Sequence, residues 1–385
     1  MKNKVSKKIR LIILAKSVDG GTGTYLQNLL NLKKLFDYQE IKIKALVLEK
    51  PSYRKLFDFK ALFLRNKSFY PEKYSLSIKN IRNYVEDLCW FKKEINKFKP
   101  NIILSIDFRS NSLAILLKMY FLKNIKVIAT NHIDLVNTIF NKSTISVNFL
   151  SRQFIGYFYN KVDVLVSVSK KLSVDLLSEF NLKCKMITIY NGIDIKFRQN
   201  NFINKNNKKI IITVGRLVEQ KDNINLIKAF NGVHNKFSNV ELWILGEGPE
   251  RKDLERYIIK HKLSNKVKLL GWKADIGYFL KQAYIFVLSS KREGFPYVLI
   301  EAMSYGIPIV STDTPYGPSE ALDNGKYGIL VPMGDSISMK NAIIEILMNK
   351  EKREYFSKKS LERTEYFSVA KMLTSYKNIL TDLIK

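Results

Sequence analysis

Two glutamates in the last third of the chain, Glu293 and Glu301, have a spacing that could hold a ligand. Glu293 falls in a polar loop after the apolar, strand-like run 283–290, and Glu301 falls inside a helix predicted at 298–305. Open α/β sheets bind ligands outside the carboxyl ends of their strands. Carboxylates accept hydrogen bonds from hydroxyls, so Glu293 could hold a sugar and Glu301 a ribose. The alternative is a solvated helix start with two surface glutamates.

A proline stands where this helix should begin. Pro296 suits the first turn, because its missing N–H would have no partner there. The free amides of Tyr297 and Val298 then point back at the loop, and such a helix N-terminus binds phosphate. The segment therefore predicts a phosphate site beside Glu293.

Two cations follow the strand predicted at 210–214. Arg216 offers a planar fork of donors and Lys221 a compact charge, a pair that suits a diphosphate. The alternative is ordinary surface charge in a basic protein. Gly215, placed before Arg216 at the strand end, favours the functional interpretation.

Four further features of the sequence each leave two interpretations open. Gly246 and Gly248 after the strand 240–245 either approach a ligand closely or form a tight turn. The glycine-rich loop 19–24 either cradles phosphate or is a plain turn. It is no dinucleotide fingerprint, because Leu26 stands at the third glycine position. His132, after the strand 127–129, is either structural or functional, and Trp272 either borders a nucleobase or packs in the core.

The composition is that of a cytosolic globular protein of two domains. The chain has 385 residues, 46% hydrophobic and 26% charged, which is long for one domain. Cys89 and Cys184 show neither metal spacing nor a disulfide framework. The N-terminus is basic, but the apolar run 11–15 after it is too short for a signal peptide or a membrane span. We interpret that run as the first strand.

The net charge of +30 is unevenly distributed. Residues 1–200 contain 36 Lys/Arg and 15 Asp/Glu, against 29 and 20 in residues 201–385. Such a field attracts nucleic acid, anionic membrane or phosphorylated ligands, unless it only reflects lysine-rich usage in the source organism. No nucleic-acid recognition motif supports the first of these. Residues 50–79 mix seven aromatics with eight Lys/Arg, a composition typical of a membrane-surface segment, although a solvated loop would also fit.

Apolar runs alternate with helical patterns along the whole chain, which predicts parallel sheets covered by helices on both faces. A polar, basic stretch at 196–209 interrupts the alternation and is interpreted as a linker. The prediction is two doubly wound, Rossmann-like domains facing a central cleft. Their predicted bounds are 1–198 and 199–368, with a helix at 369–385 that could cross back to the first domain.

At this point the sequence resembles glycosyltransferase family 4, whose members have the GT-B fold. The resemblance covers nearly the whole chain, and its specificity lies in the order and spacing of its motifs. The matching segments are Gly20-Gly21, Tyr190–Asp194, Gly215-Arg216-Leu with Lys221, Leu245–Pro249, Leu270–Trp272, Glu293–Pro296 with Glu301, Gly306–Val310, Gly317–Glu320 and Gly328–Pro332.

The resemblance implies that the domain 1–198 binds the acceptor and the domain 199–368 the nucleotide-sugar, and it implies roles for single positions. Arg216 and Lys221 would hold the donor diphosphate, Glu293 would hold the sugar hydroxyls, and His132 would lie near the donor sugar. These four are the implied catalytic residues. The implied donor-binding residues are Gly21, Gly215, Gly246, Gly294, Phe295, Tyr297, Val298 and Glu301. Asp107 and Arg109 are candidates on the acceptor side, although many relatives carry a histidine in that region.

The function implied is a retaining glycosyltransferase that needs no metal or other cofactor. Its donor would be a UDP-sugar, with an N-acetylhexosamine indicated by the variant Gly317–Glu320, and its acceptor a glycan or lipid-linked sugar of a surface polysaccharide. The expected location is the cytoplasmic face of the cell membrane, with no nucleic acid as partner. The alternatives are a nucleotide-sugar epimerase or a sugar phosphorylase of the same fold, or a nucleic-acid-binding protein.

Overall fold

A computed structural model describes residues 8–18, 20–37, 40–49, 61–65, 78–132, 145–195 and 208–385. The chain divides into two compact units. The first consists of Met1–Gly192 and Ala370–Lys385, and the second of Ile193–Val369. Most of residues 50–79, most of the linker 196–209, and Asp19 lie outside the described residues.

In the described part of the first unit, seven parallel strands form one sheet in the order β3-β2-β1-β4-β5-β6-β7. The strands are β1 (Ile9–Ala15), β2 (Ile41–Glu49), β3 (Ala61–Arg65), β4 (Ile102–Ile106), β5 (Lys126–Asn131), β6 (Val164–Ser167) and β7 (Lys185–Thr188). The helices are α1 (Gly21–Leu30), α2 (Ile78–Phe98), α3 (Phe108–Tyr120), α4 (Ile145–Tyr159) and α5 (Lys170–Glu179). The strand order reverses between β1 and β4.

The second unit repeats this design with a sheet of six described strands in the order β10-β9-β8-β11-β12-β13. The strands are β8 (Lys209–Val214), β9 (Val240–Leu245), β10 (Val267–Gly271), β11 (Ala283–Leu288), β12 (Ile309–Thr312) and β13 (Ile329–Val331). The helices are α6 (Asn223–His234), α7 (Arg251–Lys260), α8 (Gly277–Leu280), α9 (Tyr297–Ser304), α10 (Pro318–Ala321), α11 (Ser336–Met348) and α12 (Lys350–Thr364). Here the order reverses between β8 and β11.

The strands form because short runs rich in β-branched residues are buried on both sheet faces. Ile12, Ile13 and Leu14 in β1 are fully buried, as are Ile211 and Ile212 in β8. Parallel sheets need helices on both faces, so their strands are continuously apolar and do not alternate with polar residues. The predicted class of two doubly wound α/β units is confirmed.

Strand β3 was not among the predicted strands. Among the described strands, Ala61–Arg65 lies at the edge of the first sheet and pairs only with β2, with Ala45 opposite Ala61. Lysine, arginine and aromatic residues surround this five-residue run, and they hid its strand pattern in the sequence. An apolar run this short forms a strand only because it can pair with a neighbouring strand, which the sequence alone does not reveal.

The chain ends in α13 (Val369–Ile384), most of which belongs to the first unit. Its apolar stripe is buried, with Tyr376 fully enclosed and Leu380 beside it. The ammonium of Lys377 donates a 2.7 Å hydrogen bond to the carbonyl of Leu35. In the described parts of both units, no helix combines the length and the apolar character needed to cross a bilayer.

Candidate active site

The loops after β8 and β11 carry the predicted donor site of the second unit. These two strands are neighbours in the sheet, and the strand order reverses between them. In a doubly wound sheet, the crevice at such a reversal is where ligands bind. One loop contains Gly215, Arg216 and Lys221, and the other runs from Ser289 to Glu293. The fold therefore brings together residues that are about 70 positions apart in the sequence.

Where these two loops meet, Lys221 and Glu293 form an ion pair. The distance between Lys221 Nζ and Glu293 Oε1 is 2.5 Å, and the two side chains are 16% and 8% exposed. The hydroxyl of Ser290 donates a 2.6 Å hydrogen bond to the same carboxylate oxygen. No described residue hydrogen-bonds to Oε2 of Glu293. One carboxylate oxygen is thus fixed, and the other is left to accept from a ligand.

Backbone contacts hold the two loops against each other. The amide of Lys291 donates to the carbonyl of Gln220 at 2.8 Å, and the Gln220 side-chain amide donates to the carbonyl of Arg292 at 2.7 Å. The hydroxyl of Ser289 donates to the carbonyl of Lys221, also at 2.7 Å. A site whose residues are locked by such contacts is preorganised for its ligand.

Arg216 and Glu301 differ from the central pair. Arg216 is exposed, and no described residue forms a hydrogen bond or ion pair with its guanidinium. A cation held at a strand end without a protein partner is available to an anionic ligand. Glu301 lies in the second turn of α9 and is partly exposed.

Helix α9 begins at Tyr297, one residue earlier than predicted. Pro296 is the capping residue, with an extended backbone at φ −73° and ψ 116°. The amide of Leu299 bonds to the carbonyl of Pro296 at 3.2 Å, whereas the amide of Val298 has no partner among the described residues. Phe295 is buried, with its ring centroid 5.1 Å from that of Phe367. The helix start is therefore anchored by Phe295 and offers a backbone donor at Val298.

The backbone conformation and the packing at Gly246 explain why this residue is a glycine without any ligand. Its φ is +140°, and a Cβ at this position would lie 1.8 Å from the carbonyl oxygen of Gly215. The loop after β9 thus packs directly on the loop after β8. The tight-turn interpretation accounts for this glycine, and its donor contact stays a prediction. Trp272 is 38% exposed, which excludes the core interpretation.

In the first unit, the predicted phosphate loop forms the start of α1. Gly20 is the capping residue, with φ 62° and ψ −142°. Its carbonyl accepts the amides of Gly23 and Thr24, at 3.0 and 3.3 Å. Gly21, the first helical residue, is exposed. These bonds use two of the amides that a phosphate would need, and the phosphate contact of Gly21 stays a prediction.

Asp107 caps α3 at the carboxyl end of β4, which neighbours β1. Its carboxylate accepts the amide and hydroxyl of Ser110, both at 3.0 Å, and the amide of Lys16 at 2.7 Å. Burial raises the pKa of the Asp107 carboxyl above its usual value, against these hydrogen bonds. Its φ of 87° with ψ of 159° lies in a region that is nearly restricted to glycine. Asp107 thus joins the ends of β1 and β4, and Arg109 follows it within the first turn of α3.

His132 lies at the carboxyl end of β5, directly after Asn131. Its ring meets that of Tyr25 edge to face, with centroids 4.2 Å apart. Nε2 of His132 lies 3.1 Å from Oγ1 of Thr130. Burial lowers the pKa of His132 to about 3, so the imidazole is neutral at physiological pH.

Known proteins resemble this chain along most of its length. The model of the glycosyl transferases group 1 family matches residues 194–363, and that of glycosyltransferase family 4 matches residues 53–197. Together they span well over half of the chain, and each covers most of one unit. The chain belongs to glycosyltransferase family 4.

Two curated relatives illustrate this membership of family 4. An uncharacterised glycosyltransferase of Methanocaldococcus jannaschii is 32% identical over 59% of this chain and 66% of its own length. The second is N-acetylgalactosamine-N,N'-diacetylbacillosaminyl-diphospho-undecaprenol 4-alpha-N-acetylgalactosaminyltransferase of Campylobacter jejuni. It is 27% identical over 69% of this chain and 72% of its own length. The chain thus matches just under two thirds of the first relative's length. The family predicted from the sequence is confirmed.

The fold of family 4 is also seen in solved structures. HepE of Anabaena, solved in complex with UDP and glucose, has a TM-score of 0.76. The two chains are 17% identical, with 97% of this chain and 99% of that chain covered. This similarity confirms the predicted GT-B fold class.

The sequence did not indicate which residues hold the predicted site residues in place. Ser290 binds Glu293, while Tyr25 and Thr130 contact His132. A small polar residue at the end of a buried strand was the available signal for Ser290 and Thr130. Tyr25 gave no signal, because an aromatic residue in an amphipathic helix usually packs in the core.

Proposed function

We propose that this chain is a retaining glycosyltransferase that moves a sugar from a nucleotide-diphosphate donor to a glycan or lipid-linked acceptor. The donor is a UDP-sugar with an N-acetylhexosamine as its sugar, and the product belongs to a surface polysaccharide. Membership of family 4 supports the reaction class, and the site residues support the kind of donor.

The ion pair of Lys221 with Glu293 is the observation that carries this proposal. It places a cation and a hydroxyl acceptor in contact at the reversal point of the second sheet. Lys221, with Arg216, neutralises the charge that grows on the diphosphate as its bond to the sugar breaks. Oε2 of Glu293 accepts a hydroxyl of the same sugar, and the pair thereby fixes the sugar relative to its leaving group.

The backbone supplies further donors for the diphosphate. The partnerless amide of Val298 at the start of α9 lies in the helix that follows Glu293 directly. Helix N-termini favour negative charge, because their free amides and the helix dipole both point at it. Glu301, one turn further along α9, binds the ribose hydroxyls of the donor.

The choice of donor is supported by the proteins that resemble this chain. The HepE structure contains UDP and glucose, and the Campylobacter relative is named an N-acetylgalactosaminyltransferase. The same name includes a diphospho-undecaprenol acceptor, which supports a lipid-linked acceptor here. Asp107 and Arg109 are proposed to face that acceptor.

A lipid-linked acceptor requires contact with a membrane surface. Residues 50–79, from which this contact was predicted, lie mostly outside the described part of the chain. Exposed aromatics with cations above them occur elsewhere in the first unit: Lys92 lies 4.9 Å from the ring of Phe121, and Lys161 lies 4.5 Å from that of Tyr157. Aromatics and cations of this kind support peripheral binding to anionic lipid at the inner face of the cell membrane.

A screen of UDP-sugars for acceptor-dependent release of UDP tests the proposal. The acceptors are polyprenyl-diphosphate-linked sugars and free oligosaccharides, and each donor is also incubated alone. We expect UDP release only when donor and acceptor are both present, with the anomeric configuration of the donor kept in the product. Conversion of the donor without an acceptor would identify an epimerase, and phosphate-dependent cleavage of a glycan would identify a phosphorylase. Vesicle flotation at low and high salt, with neutral and anionic lipid, tests the membrane contact.

A further inference from the structure

His132 is held by a tyrosine pair that includes the C-terminal helix. The imidazole meets the ring of Tyr25 at an interplanar angle of 81°. The hydroxyl of Tyr25 is hydrogen-bonded to the hydroxyl of Tyr376 in α13, and their ring centroids are 6.3 Å apart. Both tyrosines are fully buried. A buried tyrosine hydroxyl needs a partner, so each of these two hydroxyls fixes the orientation of the other ring.

A second contact holds the imidazole at Nε2, through the hydroxyl of Thr130, whose hydrogen-bond direction can be assigned. Oγ1 of Thr130 lies 3.1 Å from the carbonyl oxygen of Ser105 and 3.1 Å from Nε2 of His132. A carbonyl can only accept, so the single hydroxyl hydrogen of Thr130 is assigned to Ser105. Towards His132, Thr130 then acts as acceptor, and the imidazole carries its hydrogen on Nε2.

Thr130 is itself held by a buried polar network. Asn111 of α3 donates a 2.9 Å hydrogen bond to the carbonyl of Thr130, and the hydroxyl of Ser105 donates to Oδ1 of Asn111 at 2.7 Å. All three side chains are fully buried. This network holds the backbone at Thr130, while the bond to the Ser105 carbonyl orients the Thr130 hydroxyl and with it sets the tautomer of His132.

A neutral imidazole that donates from Nε2 has a lone pair on Nδ1. No described residue hydrogen-bonds to Nδ1, and the side chain retains some exposure. Nδ1 can therefore accept a hydrogen from a hydroxyl of a ligand.

We propose that Tyr25 and Tyr376 are positioning residues that hold His132 as the Nε2–H tautomer, with Nδ1 as acceptor for a hydroxyl of a substrate. The identity of this hydroxyl rests on the proposed function, whereas the tautomer and its support do not. The C-terminal helix then does more than pack against the first unit, because its Tyr376 orients Tyr25. The two sides of the imidazole have separate supports, and a separate variant tests each.

Imidazole NMR tests the tautomer without any need for activity. The chain has only three histidines, so protein labelled with ¹⁵N in histidine gives three sets of signals, and His132→Gln assigns one of them. We expect His132 to show the Nε2–H pattern, unchanged between about pH 5 and pH 8. An Nδ1–H pattern, or titration near the ordinary histidine pKa of about 6.5, would overturn the proposal.

Matched variants test the two supports of the imidazole. Thr130→Val removes the acceptor and should give mixed tautomers, while Thr130→Ser should restore the Nε2–H pattern. Tyr376→Phe keeps the ring but removes its hydroxyl, and we expect the His132 signals to shift or broaden. Tyr366→Phe alters a tyrosine that is 47% exposed and serves as the control, with no shift expected. Unchanged His132 signals in Tyr376→Phe would show that α13 does not position the ring.

Kinetics test whether this positioning matters for transfer. Tyr25→Phe and Tyr376→Phe should each lower kcat by about tenfold, the scale of one lost hydrogen bond, with little change in the KM of the donor. Because both variants break the same bond, the double variant should be no slower than either single one. A lower melting temperature with unchanged kcat would assign the pair a structural role only. The expected NMR pattern in a protein that transfers no sugar would refute the proposed function and leave the tautomer standing.

Discussion

Truncation of Lys221 should damage stability and turnover, whereas truncation of Arg216 should damage turnover alone. In the proposed reaction, both cations face the charge that develops on the leaving diphosphate. Loss of one preorganised donor costs roughly 10²–10³-fold in turnover. The structure separates their effects on stability, because Lys221 is the ion-pair partner of the buried Glu293 and Arg216 is exposed without a protein partner.

The stability loss in Lys221→Ala follows from what remains around Glu293. An unsatisfied buried polar group costs about 1–3 kcal/mol, and breaking a fully buried ion pair about 3–5 kcal/mol. Glu293 keeps the hydrogen bond from Ser290, and Lys221 is itself 16% exposed. We therefore expect the free energy of unfolding to decrease by about 2–3 kcal/mol, close to the value of about 3 kcal/mol at which the two ranges meet. For a unit of this size, that lowers the melting temperature by about 4–12 °C.

The assay combines thermal melting with turnover measured by UDP release. Lys291→Ala is the matched control, because Lys291 pairs with the exposed Glu219 at 3.5 Å and such pairs contribute only about 0–1 kcal/mol. Glu293→Gln in the Lys221→Ala background should restore much of the melting temperature, since no uncompensated charge remains, while turnover stays low. An unchanged melting temperature in Lys221→Ala would refute the ion-pair reasoning. Full activity in a folded Arg216→Ala, Lys221→Ala double variant would refute the site.

Four further outcomes are expected. Glu301→Ala should mainly raise the KM of the donor, because the proposed ribose contacts would be equal in ground and transition states, whereas Glu293→Ala should impair both KM and kcat. Activity should persist in excess chelator; its loss, with recovery on adding Mn²⁺ or Mg²⁺, would show that side chains do not suffice for the phosphate charge. His132 has a pKa of about 3 when folded and about 6.5 when unfolded, so the unfolded chain binds more protons between these values. As the pH is lowered from about 6.5, the free energy of unfolding should therefore decrease by up to about 1.4 kcal/mol per pH unit. In urea unfolding, His132→Gln should show a weaker pH dependence of this free energy than the unmodified protein. Gly246→Ala should lower the melting temperature sharply, because its Cβ would lie 1.8 Å from a backbone oxygen, and a normal melting curve would contradict that packing.

Local patterns in the sequence were sufficient to predict the architecture. The apolar run 240–245 became a strand with the predicted bounds, and the run 11–15 became most of β1, since a buried parallel strand is continuously apolar and short. The motifs that carry the family resemblance were also visible, because each lies within a few consecutive residues. Glu293 and Lys221 were both singled out from their own loops.

Only the tertiary structure decided which of these residues meet. No spacing along the chain indicates that Lys221 touches Glu293, because the order of the strands, not the sequence distance, makes β8 and β11 neighbours. The same holds for Tyr25 and Tyr376, which are 351 positions apart and meet because the last helix packs in the first unit. Residue type and local spacing determined what chemistry was available, and long-range packing determined which groups could perform it together.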